Sequence, residues 1–229
     1  MNLLVNGCSF SRGPTAWPYH IKNVNVVNLA CAGAGNDYIF NSTIAELSQR
    51  HYDFVAIMWT QPSRIDIKVD DVDQFRNSPY TSAYQSTRND WAEKIVEPVN
   101  DQDYVEKDWV YGCGFLNKDS ALLKTKLFDQ IYFYQNTSQF NYLTLVKMIA
   151  MQHTLKQMGI SYLFTYFNDY EAELAKIPHL YRMLDQSCIY NKQNIHTITK
   201  NNNWYDADGS HPGVNAHKKW AELITPFIC

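Results

Sequence analysis

Positive charge is in short supply in this chain. Its 20 Lys and Arg stand against 23 Asp and Glu, for a formal net charge of -3. No long basic run occurs, so the electrostatic footprint that a phosphate backbone requires is missing, and nucleic acid is not expected as a partner. No apolar stretch approaches the roughly 20 residues needed to span a bilayer. The N-terminus has no basic segment ahead of its short apolar run, which leads straight into Asn6-Gly7. No secretory signal is read there, and a cytoplasmic location is expected, with later release or association with a particle left open. Cysteine is sparse and odd in number, five residues at 8, 31, 113, 188 and 229 with no C-x-x-C pair. That argues against a disulfide framework and a cysteine zinc site. His20, His51, His153, His179, His196 and His217 lack ligand spacing, so no metal is expected. Gly33-Ala34-Gly35 has neither the length of a dinucleotide fingerprint nor a Walker lysine, and no cofactor is implied. Internal repeats and low-complexity tracts are absent too.

What remains is an ordinary globular composition with many rings. Of 229 residues, 45% are hydrophobic, 19% charged and 14% aromatic, with 16 Tyr and 6 Trp. The length suits one domain carrying a large insertion. Apolar runs at 3–6, 25–30, 54–59 and 160–167 read as strands, and the near-continuous run at 54–59 fits a strand buried on both faces. A fifth strand is expected at 195–199. Helices are expected after Asn36 or Asp37, with Ile39, Phe40, Ile44 and Leu47 inward, and at 139–158, with Tyr142, Leu145, Val146, Ile149 and Met158 inward and Gly159 as C-cap. Further helical stretches are expected around 170–187 and at 213–224, the last facing inward through Ala216, Trp220, Leu223 and Ile224 and stopped by Pro226. Strands alternating with helices imply a parallel sheet covered on both sides, with ligands outside the carboxyl ends of the strands.

Two short stretches carry candidate chemistry. Ser9 follows Gly7 at the end of the first strand, which aims a hydroxyl into that crevice beside any following helix N-terminus. It is not a G-x-S-x-G elbow, because Ser11 occupies the last glycine position. A serine after a strand is most often a turn or cap residue. Near the other end, Asp208-Gly209-Ser210-His211-Pro212 precedes the last helix. A carboxylate three positions before a histidine can bond Nδ1 while Nε2 faces a nucleophile. Asp-Gly alone reads as a turn.

Together, and in this order, these residues resemble the blocks of the SGNH/GDSL hydrolases. Gly7-Cys8-Ser9-Phe10 is similar to that family's first block, with Cys8 and Phe10 where Asp and Leu are usual. The stretch from Asn28 to Gly33 resembles the second, and Asp208-Gly-Ser-His211 the last. The resemblance implies a flavodoxin-like three-layer α/β/α sandwich with a large insertion after the third strand. It also implies ester hydrolysis through a covalent acyl-enzyme, with Ser9, Asp208 and His211 catalytic and the Ser9 and Gly33 backbone N–H groups in the oxyanion hole. The third block, usually G-x-N-D, reads Trp59-Thr60-Gln61-Pro62 here. Gln61 is the candidate for its amide donor; Thr60 or Asn36 in its place, or no third donor at all, are the alternatives.

The stretch 63–138 is too long for an ordinary loop. It holds Trp91, Tyr104, Trp109, Tyr111 and several Asp residues, and reads as a lid or substrate platform. Trp91, Trp109, Trp17 and Arg64 are candidate substrate-binding residues, although packing is the plainer role for Trp17 and Arg64. Rings beside carboxylates suit sugars, so a small acyl ester, O-acetyl above all, on a glycan or a small molecule is the expected substrate. An O-acyltransferase on the same framework, a non-catalytic binding or structural protein retaining the fold, and a flavodoxin-like ligand-binding domain are the alternatives. Oligomeric state is not legible in the sequence.

Overall fold

The structure, a computed structural model, describes residues 1–68, 109–112 and 137–228, with backbone alone at 65, 67, 68, 109–112 and 137. Five parallel strands form the main sheet. They are β1 (Asn2–Asn6), β2 (Asn25–Asn28), β3 (Phe54–Trp59), β6 (Ser161–Tyr166) and β7 (Ile189–Tyr190), in the order β2-β1-β3-β6-β7. Strand β1 lies between β2 and β3, with Val5 paired to Asn28 on one side and Ala56 on the other. A separate antiparallel pair joins β4 (Ile65–Lys68) to β5 (Trp109–Gly112), with Lys68 opposite Trp109.

Successive side chains of each strand point to opposite faces, and both faces are apolar. On one face Leu4, Val55, Ile57, Trp59 and Phe164 pack against α1 (Asn36–Leu47) and α2 (Thr137–Gln157). On the other, Leu3, Val5, Ala56, Met58 and Leu163 pack against α5 (Ile195–Asn202) and α6 (Val214–Ile228). Between β6 and β7 lie two single-turn helices, α3 (Glu171–Leu174) and α4 (Pro178–Tyr181). This is the three-layer α/β/α sandwich expected from the sequence. Among the described residues no helix is long and apolar enough to cross a membrane.

Four local expectations are corrected. The stretch 195–199 is the start of α5 and not a strand. The Asn194 side chain accepts the Thr197 N–H at 2.8 Å, and Ile195 and Ile198 bury on one helical face. The last strand is instead β7, only two residues long. Helix α2 forms, but turned: Tyr142, Val146 and Met158 are exposed, while Phe140, Leu145, Met148, Met151 and Leu155 face the core. Polar Asn141, Thr144 and Gln152 are buried with them, which blurs the apolar stripe. Helix α6 continues through Pro226 to Ile228. Neither Asn36 nor Asp37 caps α1. Gly35 is the N-cap residue, and the capping acceptor is the carboxylate of Asp66, reaching over from β4. Gly159 does end the chain's longest described helix, at φ +68°.

Candidate active site

The sheet order sets the site before any side chain is considered. Strands β2, β1 and β3 are neighbours, so the loops that follow them, carrying Gly33, Ser9 and Gln61, emerge side by side at the carboxyl edge. Ser9 opens a single 3₁₀ turn, Ser9–Ser11, directly after β1. Gly7 lets this turn sit close to β3, because a Cβ there would meet Ser11 Oγ at 2.8 Å and Met58 Cβ at 3.2 Å. Two asparagines tie the turn down. Asn6 Nδ2 donates to the Ile39 carbonyl and to Ser42 Oγ and Thr43 Oγ1 of α1, and its Oδ1 accepts the Gly7 N–H. Asn28 Nδ2 donates to the Ser11 carbonyl at 2.8 Å.

The other half comes from the loop before α6. That loop is closed by a bridge between Tyr205 and Pro212 and by backbone bonds from Asp206 to His211 and from Gly213 to Trp204. Gly213 sits so tightly that a Cβ would lie 2.8 Å from the Tyr205 carbonyl. Within this frame His211 Nε2 lies 3.0 Å from Ser9 Oγ, a contact between residues 202 positions apart. His211 Nδ1 is bonded to Asp208 Oδ2. Asp208 Oδ1 accepts the N–H groups of Ser210 at 2.8 Å and His211 at 2.9 Å. Desolvation raises the Asp208 pKa, but the bonds from the His211 and Ser210 N–H groups and from the imidazole outweigh it and hold the carboxyl well below the usual range. The Phe10 ring covers one side of His211 at 5.6 Å between centroids, and is itself braced by Phe167 at 4.8 Å.

Among the described residues, neither the Ser9 nor the Gly33 N–H has an acceptor. Both are therefore free to donate to a ligand oxygen. Gly33 adopts φ +81°, a conformation that favours glycine. Of the candidates for a third donor, Asn36 is committed elsewhere. Its Nδ2 donates to the Thr60 carbonyl and Thr144 Oγ1, each at 3.1 Å, and its Oδ1 accepts the Thr60 N–H. Among the described residues the Gln61 carboxamide oxygen is buried without a partner, as is the Thr60 hydroxyl.

Two of the expected substrate-binding residues are buried. Trp17 is 1% exposed, packs in the core beneath the Ser9–Ser11 turn and donates its indole N–H to Ser11 Oγ at 2.9 Å. Arg64 is 7% exposed and donates from Nη1 to the Ala34 carbonyl at 3.1 Å, which ties it to the loop after β2. Trp91 and the Trp109 side chain lie outside the described residues. Sequence reasoning missed Asp66 and the Phe10–Phe167 brace. The one signal for Asp66 was a lone carboxylate between Ile65 and Ile67, which in a strand points to one face by itself.

With this geometry in hand, similarity to solved structures decides the fold. The chain is similar to the psychrotrophic esterase EstA from Pseudoalteromonas sp., in a structure inhibited by monoethylphosphonate, with TM-score 0.51, 10% identity, and 99% of this chain and 96% of that one covered. The two share a fold. Looser likenesses are to a member of the lipolytic protein G-D-S-L family from Veillonella parvula (TM-score 0.42, 12% identity, 99% and 97% covered) and to Axe2, an acetylxylan esterase from Geobacillus stearothermophilus (TM-score 0.42, 12% identity, 99% and 93% covered). No protein-family profile and no curated protein matches the chain. A fold hosts many functions, so what this site does rests on its own geometry.

Proposed function

We propose that this protein is a serine-dependent carboxylic ester hydrolase of the SGNH/GDSL type. The observation that carries the reading is the closed relay Ser9–His211–Asp208, with Nε2 at 3.0 Å from the hydroxyl and the other ring nitrogen held by a carboxylate. That geometry is what nucleophilic acyl transfer needs. Ser9 Oγ attacks the ester carbonyl carbon as its proton passes to His211 Nε2. Asp208 holds the ring and balances the imidazolium. The tetrahedral oxyanion is received by the Ser9 and Gly33 N–H groups, with the Gln61 carboxamide as third donor. His211 then gives the proton to the leaving alcohol, and an acyl-Ser9 ester remains. Water attacks this ester, loses a proton to the same imidazole, and the acid departs as Ser9 regains its hydrogen.

The substrate class is a small acyl ester, with an O-acetyl group on a carbohydrate first among those to test. This rests on the sequence of the insertion, where Asp90-Trp91, Asp103-Tyr104 and Asp108-Trp109 set rings beside carboxylates in the sequence. Ring faces stack on sugar C–H surfaces, and carboxylates accept hydroxyl hydrogens.

A fluorophosphonate probe tests the reading. Wild type is expected to take up one phosphonyl group and Ser9→Ala none. An unlabelled wild type, or equal labelling of the variant, removes Ser9 as nucleophile.

A further inference from the structure

Strand β4 and the residue before it reach back onto the loop that carries Gly33 with two buried charged side chains, Asp66 and Arg64. Asp66 is 8% exposed, and each of its carboxylate oxygens accepts a backbone N–H, Oδ1 from Gly35 at 2.8 Å and Oδ2 from Tyr38 at 2.8 Å. Arg64, two residues earlier, donates from Nη1 to the Ala34 carbonyl at 3.1 Å, and its guanidinium lies 5.4 Å from the centre of the Phe167 ring. The fit is close. A Cβ on Gly35 would come within 2.7 Å of Asp66 Oδ2 and 2.9 Å of the Arg64 carbonyl oxygen.

A helix start can be capped locally by Ser, Thr, Asp or Asn at the N-cap position. Here that position must be glycine for lack of space, and the cap is delivered from another element. The same two side chains grip residues 34, 35 and 38, immediately downstream of Gly33. Burying a carboxylate is costly unless it is well bonded. Desolvation, together with the nearby Asp37, lifts the Asp66 pKa to about 6, against the two N–H bonds and Arg64. The arrangement therefore holds a disfavoured charge where a neutral cap would be cheaper.

We propose that Arg64 and Asp66 are positioning residues that fix the Gly33 N–H where the oxyanion forms, making the first strand of the insertion and the oxyanion loop one mechanical unit. The inference rests on the ester hydrolase reading and adds a determinant of its rate. Displacing a donor by a fraction of an ångström weakens transition-state stabilisation far more than substrate binding. A plain helix cap would lower stability and leave kcat of the folded protein unchanged.

The test is the second-order rate of fluorophosphonate labelling, with kcat and KM on a small ester, for wild type, Asp66→Ala, Asp66→Asn and Arg64→Lys. All are measured on protein shown to be folded by near-UV circular dichroism. Asp66→Ala is expected to lose roughly 10–100-fold in kcat and in labelling rate, with KM within about twofold, a part of the ~10²–10³ that a deleted oxyanion donor costs. Asp66→Asn keeps one acceptor and is expected to recover part of the loss, while Arg64→Lys is expected to fall about tenfold. Amide hydrogen exchange at Gly35 and Tyr38 should quicken in Asp66→Asn while the α6 core stays protected. If Asp66→Ala fails to fold, the two conservative variants carry the test. Folded variants that label and turn over at the wild-type rate overturn the positioning role alone. A wild type that does not label removes the ester hydrolase reading and this inference with it.

Discussion

At the scale of single residues, the relay makes graded predictions. Ser9→Ala and His211→Ala should each lower kcat by about 10⁶, and Asp208→Ala by about 10⁴, since these groups act as a unit and the oxyanion donors persist. Steady-state kinetics on a small chromogenic ester checks the order, and an Asp208→Ala enzyme at full rate would place the carboxylate role elsewhere. These three residues were legible because short motifs at the two ends of the chain carried them. Asp66 was not. Its partners are backbone amides 28 and 31 positions away, which leave no spacing pattern in a sequence. It also shapes stability. The folded-state pKa of Asp66 is raised to about 6, so the folded form holds a proton that the unfolded chain has lost, and stability falls as pH rises from about 4 to 6. His217, 5% exposed and one turn into α6 from the loop that carries His211, has the opposite sign. Desolvation and His20, with a smaller push from His211, lower its pKa to about 4, against Asp206 and the Pro212 backbone. Its contribution is complete above about 6.5 and is lost as pH falls toward 4. The two slopes oppose each other in wild type. Asp66→Asn should therefore expose a steeper loss of stability on acidification, measured as urea midpoints between pH 4 and 7. A variant with an unchanged pH profile would contradict the burial of one group or the other.

At the scale of elements, four of the five main strands were legible because parallel strands covered on both faces become continuous apolar runs. Strand β7 was not, since two residues carry no period. Helix α5 was misread because Ile195, Thr197 and Thr199 alternate like a strand, while the deciding feature is the Asn194 cap and the Ile195–Ile198 pair. Asn194→Ala should cost about 1 kcal/mol through loss of that cap. Trp220 on α6 is fully buried against the sheet, and Trp220→Ala should cost about 3–5 kcal/mol. Chemical denaturation resolves both. A cap variant as costly as the core variant would mean that α5 is held by something other than its first turn.

At the scale of the whole molecule, the fold brings the first turn and the last loop of the chain to one edge of a parallel sheet, as the order of the sequence motifs implied. Composition could not place the insertion, because a polar and aromatic stretch without period specifies no register. Lys68 pairs with Trp109, and the segment 69–108 joins them in the sequence. Its excision with a short linker should leave β4, Asp66 and small-ester cleavage intact, and reduce turnover of an acetylated glycan. Equal loss on both substrates would make the segment a structural part of the sheet edge. The meeting of the chain ends is tested most directly by mass spectrometry of fluorophosphonate-treated protein, comparing wild type with His211→Ala. One phosphonyl group on the Ser9 peptide of wild type and none on the variant is the predicted result; an adduct elsewhere, or a Ser9 adduct indifferent to loss of the imidazole, would contradict it.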